Sequence, residues 1–371
     1  MDFSLDENQR AIADLAADVL AKEGAGEPLA HDARQDPETR YQEHVWAAMA
    51  KVGLLGLALP TELDGDGLGV AEIAVVLTEV GKAGARVPAL ATLALGVLPV
   101  ASHGTAKQRE ALLPDVAAGN ALLTAAVSEV GAPLATLPGT VARPGGSGWR
   151  LSGRKVAVPY AGHASRILVP ASLEDGAGVF LVDPHAGGVT VTPTPTASGT
   201  PECTVDLDDV EVSAADLLGG DTSGAAARAL REFAVVGAVA SGDGALAGVL
   251  DLTTEHVRTR HQFGKPLATF QAVAQQMADV YIAARTVHLA SVSAAWRLGA
   301  GRNAEADLDL AAYWLTAEAL PSVRTCHHLH GGVGVDVTYP LHRHYSELKD
   351  LTRLLGGHRN QLHAFGAGAG S

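Results

Sequence analysis

Cysteine is nearly missing from this chain of 371 residues, which holds only Cys203 and Cys326, far apart. Two such residues build neither a disulfide framework nor a zinc site on their own. Runs of Lys or Arg are missing too, and the formal net charge is −14, from 27 basic and 41 acidic residues. A sequence-independent grip on nucleic-acid phosphates is therefore not expected, and any anionic ligand must be met by a local basic pocket. The most apolar stretch, Val87 to Ser102, carries Pro88 and Pro99 and is short for a membrane span. It reads as a buried helix or helix pair. The start, Met1 to Arg10, is polar and acidic, unlike a signal peptide, so the expectation is a cytoplasmic protein with no membrane segment.

What is present is an ordinary globular mixture, 47% hydrophobic and 18% charged, long enough for two or three buried cores. Three textures follow one another. Residues 1–121 read as helical. Asp6 to Leu20 spaces Ile12, Leu15, Val19 and Leu20 as a stripe that must face a core. A second helix is expected from about Pro37 to Val52, then a loop over Gly53 to Gly69, then helices over Ala71 to Val80 and from Ala106 to Leu113 and beyond. Residues 122–220 break into short β-prone runs at Trp149–Leu151, Lys155–Val158, Arg166–Pro170, Val179–Val182, Val189–Val191 and Cys203–Val205. Such runs, separated by Gly and Pro, predict a small antiparallel barrel or sandwich. Residues 225–365 return to helix, with segments over Ala225–His261, Phe270–Leu298, Ala304–His328 and Leu341–Leu355, enough for a four-helix bundle. The tail from Gly366 to Ser371 is expected to fray.

Two strings carry the candidate chemistry. The first is Arg260-His261-Gln262-Phe263-Gly264-Lys265-Pro266, followed by Phe270-Gln271. Its Arg and Gly are sensible helix-ending chemistry. The functional reading has Arg260 and Gln262 project from the helix end toward a diphosphate and its sugar, with Phe263 as an apolar wall. The second string is His327-His328-Leu329-His330-Gly331-Gly332-Val333-Gly334-Val335. It follows a helix and lacks G-x-G-x-x-G spacing, so it is not a Rossmann fingerprint. A glycine-rich turn between helices presents backbone N–H groups to a pyrophosphate, and a plain helix cap is the alternative. Three histidines at i, i+1 and i+3 do not converge on one point and have no acidic partner beside them, so metal binding is not expected.

The two strings in this order, separated by a helix pair, resemble the C-terminal bundle of the acyl-CoA dehydrogenase family. Val52-Gly53-Leu54-Leu55-Gly56 through Pro60, and Asp64-Gly65-Asp66-Gly67, are similar to its N-terminal helical domain. The resemblance covers essentially the whole chain and implies an α+β fold: N-terminal helices, a middle β-barrel and a C-terminal four-helix bundle. It also implies FAD lying between two subunits, with the adenine-diphosphate end held by the neighbour's Arg-x-x-Phe-Gly and Gly-Gly strings. By that likeness Arg260, Gln262, Phe263, Phe270, Gln271 and the stretch His328, Leu329, His330, Gly331 and Gly332 bind the cofactor, with His328 in place of the family's glutamine.

The family oxidises the Cα–Cβ bond of an acyl thioester with a glutamate as base and flavin as hydride acceptor. Counted from Tyr339-Pro340, the position of that glutamate falls on Leu355, and no carboxylate is nearer than Asp350. The position used by other relatives falls on Ala234. Glu232 is two residues away, roughly 200° round a helix. On the flavin-ring side, Ser128-Glu129-Val130-Gly131-Ala132-Pro133 stands where relatives carry Thr-Glu-x-x-x-Gly-Ser-Asp. Ala157, Val158 and Pro159 stand for Trp-Ile-Thr, and Gly357 for a threonine. Pro159 offers neither N–H nor hydroxyl.

These four losses, all on one side, match a branch of the family, two-plus-two actinobacterial enzymes that shorten steroid side chains as CoA thioesters; Phe270 to Gly357, with its Val-Gly-Val-Asp and Pro-Leu-His-Arg runs, most resembles their non-catalytic subunit. That resemblance implies a homologous catalytic partner that binds most of the acyl-CoA, a shared FAD, and electron-transfer flavoprotein as acceptor. Two alternatives stay open: a homotetrameric dehydrogenase with a displaced base, Glu232 or Glu129, and a flavin-free scaffold of the same fold.

Overall fold

The computed structural model describes residues 3–26 and 41–368, with side chains through 363. Helix α1 (Glu7–Lys22) starts where Asp6 accepts the Gln9 N–H at 2.8 Å and Gln9 answers on the Asp6 N–H at 3.3 Å. This reciprocal capping box satisfies two N-terminal donors at once. Its buried face is Ile12, Ala16 and Leu20. Leu15 is 39% exposed, so the expected stripe is corrected by one position, with the smaller Ala16 turned inward instead. Helix α2 (Glu43–Lys51) begins after Gln42, and the expected start near Pro37 lies outside the described residues. Helix α3 (Val70–Ala83) follows the loop through Asp64 to Gly69.

Val87 to Val100 is almost wholly buried, as its composition demands, while Ser102 at the end of the stretch is exposed. A π-helical stretch (Leu90–Val97) runs into α4 (Leu98–His103). Pro99 sits in the first turn of α4, at the junction with the π-helical stretch. Helix α5 (Ala106–Ala117) opens with a second capping box, between Thr105 and Gln108. Gln108 then reaches the carbonyl oxygens of Ala215 and Leu217 at 2.8 and 3.0 Å, and its Oε1 accepts the Gly219 N–H at 3.0 Å.

The middle strands are β1 (Leu123–Ala125), β2 (Val141–Gly145), β3 (Gly148–Pro159), β4 (Arg166–Leu173), β5 (Gly176–Val182), β6 (Val189–Thr194) and β7 (Glu202–Ser213). They form one seven-stranded sheet in the order β1-β4-β2-β3-β7-β6, with β5 also paired to β4. The expected all-antiparallel sheet is corrected, because β1 and β2 each pair with β4 in parallel. The two runs Trp149–Leu151 and Lys155–Val158 belong to one long strand with bulges. Leu151, Val158, Ile167, Val169, Phe180, Val182, Val205 and Val210 fill the core.

Helix α6 (Ala225–Thr259) leads into a hairpin of β8 (His261–Gln262) and β9 (Lys265–Pro266). Then come α7 (Gln271–Gly299), α8 (Glu305–His330), α9 (Leu341–Leu354) and α10 (Gly357–Gly368). The last of these is a helix beyond the four expected, and it carries helical backbone through Gly366 to Gly368, where fraying was expected. Helix α6 is long and apolar enough to compare with a membrane span, yet 83% of its most apolar window is buried, as in a core helix.

The chain gathers into two units. One takes Met1–Ala30, Ala74–Ala85 and Ala238–Ser371, and the other takes His31–Ile73 and Arg86–Gly237. Within the first, α3 and α6 approach through small residues. A Cβ on Gly244 would sit 1.9 Å from the Thr78 carbonyl oxygen, so only glycine permits this crossing.

Candidate functional site

The first arm of the site is a hairpin rather than a plain helix end, which corrects the expected setting of Arg260 and Gln262. The Arg260 N–H closes the last turn of α6 on the His256 carbonyl at 2.9 Å. Its own carbonyl accepts the Leu267 N–H at 2.9 Å and so shuts the base of the hairpin. Phe263 and Gly264 form the tip at φ 52° and 79°. A two-residue hairpin loop favours positive φ at both central positions because that twist matches the strands. Glycine adopts it freely; a bulky Phe does so at a cost of about 1 kcal/mol. The Phe263 ring is nevertheless 92% exposed. It meets Phe270 edge-on at 6.3 Å, and the Lys265 ammonium lies 4.3 Å over the Phe270 ring. Arg260, Gln262 and Gln271 are exposed, and Phe270 is half-buried.

The second arm is the end of α8. Gly331 takes φ 60° and ψ −135°, conformations that a Cβ disfavours. It turns the chain into a short 3-10 stretch over Gly331–Val335. Its N–H is already given to the carbonyl oxygens of His327 and His328, so it is not open to an anion. His328, Gly331 and Gly332 are exposed, and nothing lies within 4 Å of a Cβ placed on either glycine. The side chains of Leu329 and His330 are buried in this chain, so of these expected contacts the side chains are turned inward. The two arms meet beneath the surface, where the rings of His256 and His330 stack at 4.4 Å.

The candidate base positions are of another kind. Leu355, 1% exposed, caps α9, and its carbonyl accepts the Gln361 amide. Ala234 is buried in α6, and Glu232 is half-buried. Asp350 pairs with Arg353 at 3.6 Å. Gly356 and Gly357 both lie at positive φ, 81° and 76°, where a threonine would be strained.

Glu129 is locked in place. Its Oε1 accepts from the Lys155 ammonium at 2.7 Å, the Thr140 hydroxyl at 2.7 Å and the Thr140 N–H at 2.8 Å, while Oε2 accepts the Gly139 N–H at 2.5 Å. Burial alone would raise its pKa, but the hydrogen bonds and the Lys155 charge prevail and hold it down at about 2. A carboxylate so held does not take up a proton near neutrality, so Glu129 is a poor candidate for a displaced base. Lys155, its side chain 2% exposed, was missed as a structural partner because strand alternation alone does not say which polar side chain turns inward. Beyond it, Ala157 sits at φ 55° in a bulge of β3, and the Pro159 carbonyl accepts the Thr124 hydroxyl at 2.6 Å. Among the described residues no three His, Cys, Asp or Glu side chains gather as metal ligands.

The comparisons agree with this architecture. Residues 6–120 match the acyl-CoA dehydrogenase N-terminal domain, and residues 228–364 match the acyl-CoA dehydrogenase C-terminal domain. Acyl-CoA dehydrogenase FadE28 of Mycobacterium tuberculosis (strain H37Rv) is 43% identical over 367 residues, 99% of this chain and 98% of that protein. Among solved structures, the ChsE4–ChsE5 complex from Mycobacterium tuberculosis matches with TM-score 0.91 and 31% identity, over 100% of this chain and 99% of that one. A variant of the Tcur3481–Tcur3483 steroid ACAD matches with TM-score 0.90 and 36% identity, over 98% and 99%. More distant structures of the fold, 22% identical, include ones solved with FAD or FADH2. The chain belongs to the acyl-CoA dehydrogenase family.

Proposed function

We propose that this protein is the non-catalytic subunit of a heteromeric acyl-CoA dehydrogenase, completing the FAD site of a homologous catalytic subunit. One observation carries the reading. The family's diphosphate-gripping strings stand exposed on a hairpin and a glycine turn, while both positions of the family's base hold buried apolar residues, Leu355 and Ala234.

The residues fit one end of the cofactor. Arg260 presents a guanidinium that forks onto phosphate oxygens, and Gln262 and Gln271 offer amides. Phe263 and Phe270 supply an apolar wall, and the open Gly331–Gly332 turn lets a ligand approach the backbone. His328 adds an exposed ring, while the side chains of Leu329 and His330 are buried beneath the turn. The ring end fits less well: Ala157 and Pro159 bring no hydroxyl, and Pro159 no N–H. When bound, FAD supplies hydride acceptance from the acyl β-carbon. On this side of the site the chain's own residues bind and orient; none is placed to remove an α proton. The partner then supplies the base, the ring contacts and most of the acyl site.

The similarity to the two heteromeric assemblies supports a homologous partner, and the steroid designation of one supports a steroid side-chain CoA thioester as substrate class. Electron-transfer flavoprotein as acceptor and a cytoplasmic setting complete the reading. The test is flavin absorbance: the chain purified alone is colourless, and co-expression with the catalytic homologue gives a yellow complex. Stoichiometric FAD on the lone chain ends the proposal.

A further inference from the structure

Beneath the two arms, three side chains join the ends of α6 and α8. His330, the last residue of α8, is 4% exposed and uses both ring nitrogens. Nδ1 lies 2.8 Å from the carbonyl oxygen of Cys326, one turn earlier. A carbonyl only accepts, so Nδ1 carries the proton and donates. Nε2 is then the acceptor, and the Tyr339 hydroxyl, 3.0 Å away, donates to it. Tyr339 lies nine positions on, past the Gly331–Val335 turn, so this bond ties the far side of the turn back to the helix it left. The face of the His330 ring carries His256, stacked at 4.4 Å and 23°. His256 in turn stands one helical turn before Arg260, whose N–H bonds the His256 carbonyl. Burial holds His330 below the usual histidine range, which favours the neutral ring, and the Cys326 carbonyl, an acceptor only, selects the tautomer.

We infer that His330 is a positioning residue rather than a cofactor ligand: through Tyr339 and His256 it sets the spacing between Arg260 and the Gly331–Gly332 turn. The inference rests on the clamp reading above. A space-filling residue needs neither nitrogen, whereas this one needs a donor toward Cys326 and an acceptor toward Tyr339. Glutamine offers both from one planar amide that still stacks on His256. Leucine offers volume alone.

The experiment measures FAD release from the complex with the flavin-bearing homologue, by recovery of flavin fluorescence. It also follows amide hydrogen exchange over residues 331–339 in the full chain by itself. His330→Leu is expected to release FAD about tenfold faster, and Tyr339→Phe, which removes one hydrogen bond with little change of shape, about fivefold faster. His330→Gln should restore release to within about twofold of the parent. Exchange over 331–339 should rise in the same order in the lone chain, where no flavin is needed. Leucine and glutamine variants that behave alike in both measurements overturn the inference, as does faster exchange with unaltered release. Arg260→Ala separates the two claims. Should it leave flavin content untouched, the clamp itself fails. Should it strip flavin while His330→Leu does not, only the positioning role fails.

Discussion

The hairpin and glycine turn at 260–271 and 328–335 contrast with the stretch from Ser128 to Pro159. In the first, charged, amide and aromatic groups stand exposed with backbone strain at the tip: Phe263 is held at φ 52° although its ring buries almost nothing in this chain. In the second, polar groups are turned inward and spent on one another, as Glu129 takes four hydrogen bonds and Lys155 is buried against it. A surface that keeps unspent donors is built to meet something. A network that satisfies itself is built to hold a loop. The difference supports the proposed cofactor contact on the first region and argues against Glu129 as a displaced base.

The sharpest way to break the contrast is to open the closed network. Lys155→Met leaves the buried Glu129 charge without its cation, and a loss of about 3–5 kcal/mol is expected, read from urea denaturation. The paired change Lys155→Met with Glu129→Gln should recover most of it, since the charge is gone while an amide oxygen still accepts from Thr140. A recovery of nothing would mean the ion pair is not what holds this loop.

A pH series probes the framework under the exposed arms. His344 of α9 is 3% exposed and bonds the Gly81 backbone, and burial, helped by the Arg343 charge, pushes it down to about 4. Its folded value is below its unfolded one, so the unfolded chain takes up the proton first. Stability is full above about pH 6.5 and falls as the pH drops toward 4. Between pH 7.5 and 5 the His344 share of that loss is about 2 kcal/mol. Denaturation midpoints of the parent and a His344→Asn variant give it as the difference in pH slope.

On the exposed side the expected effects move from stability to binding. Arg260→Ala should weaken FAD retention in the complex by about 2 kcal/mol, roughly thirtyfold, with little change in the stability of the lone chain. Equilibrium dialysis of flavin beside a melting curve tests both halves at once. The smallest effect belongs to Phe263→Ala, which should alter the lone chain's stability by less than about 0.5 kcal/mol in either direction. A larger loss would show that the tip is packed in this chain and is no free wall for a ligand.

Much of this was legible in residue order. The Arg260–Gln271 string, the His328–Gly332 string, the α-β-α texture and the apolar residues at both base positions need only local pattern. Other features were out of reach. Leu15 and Ala16 are neighbours on α1, and helical period alone does not choose between a large and a small inner residue. β1 and β2 are short and pair in parallel with β4, a contact between segments distant in sequence. The Gly356-Gly357 pair reads as a stop, yet it is a bend into another helix.

Sequence by itself determined the family, the α-β-α order of its parts and the apolar residues at Leu355 and Ala234, on which the proposed reading rests. These follow from which side chains carry which chemistry, whatever the chain's path. Tertiary structure alone decided which polar groups are spent. Of three histidines within four residues, His328 faces out while His330 turns in to bond Cys326 and Tyr339. Glu129 became a fixed anion only because β3 brings Lys155 against it. A donor's or acceptor's availability depends on its neighbours in space, and burial then decides whether its charge survives.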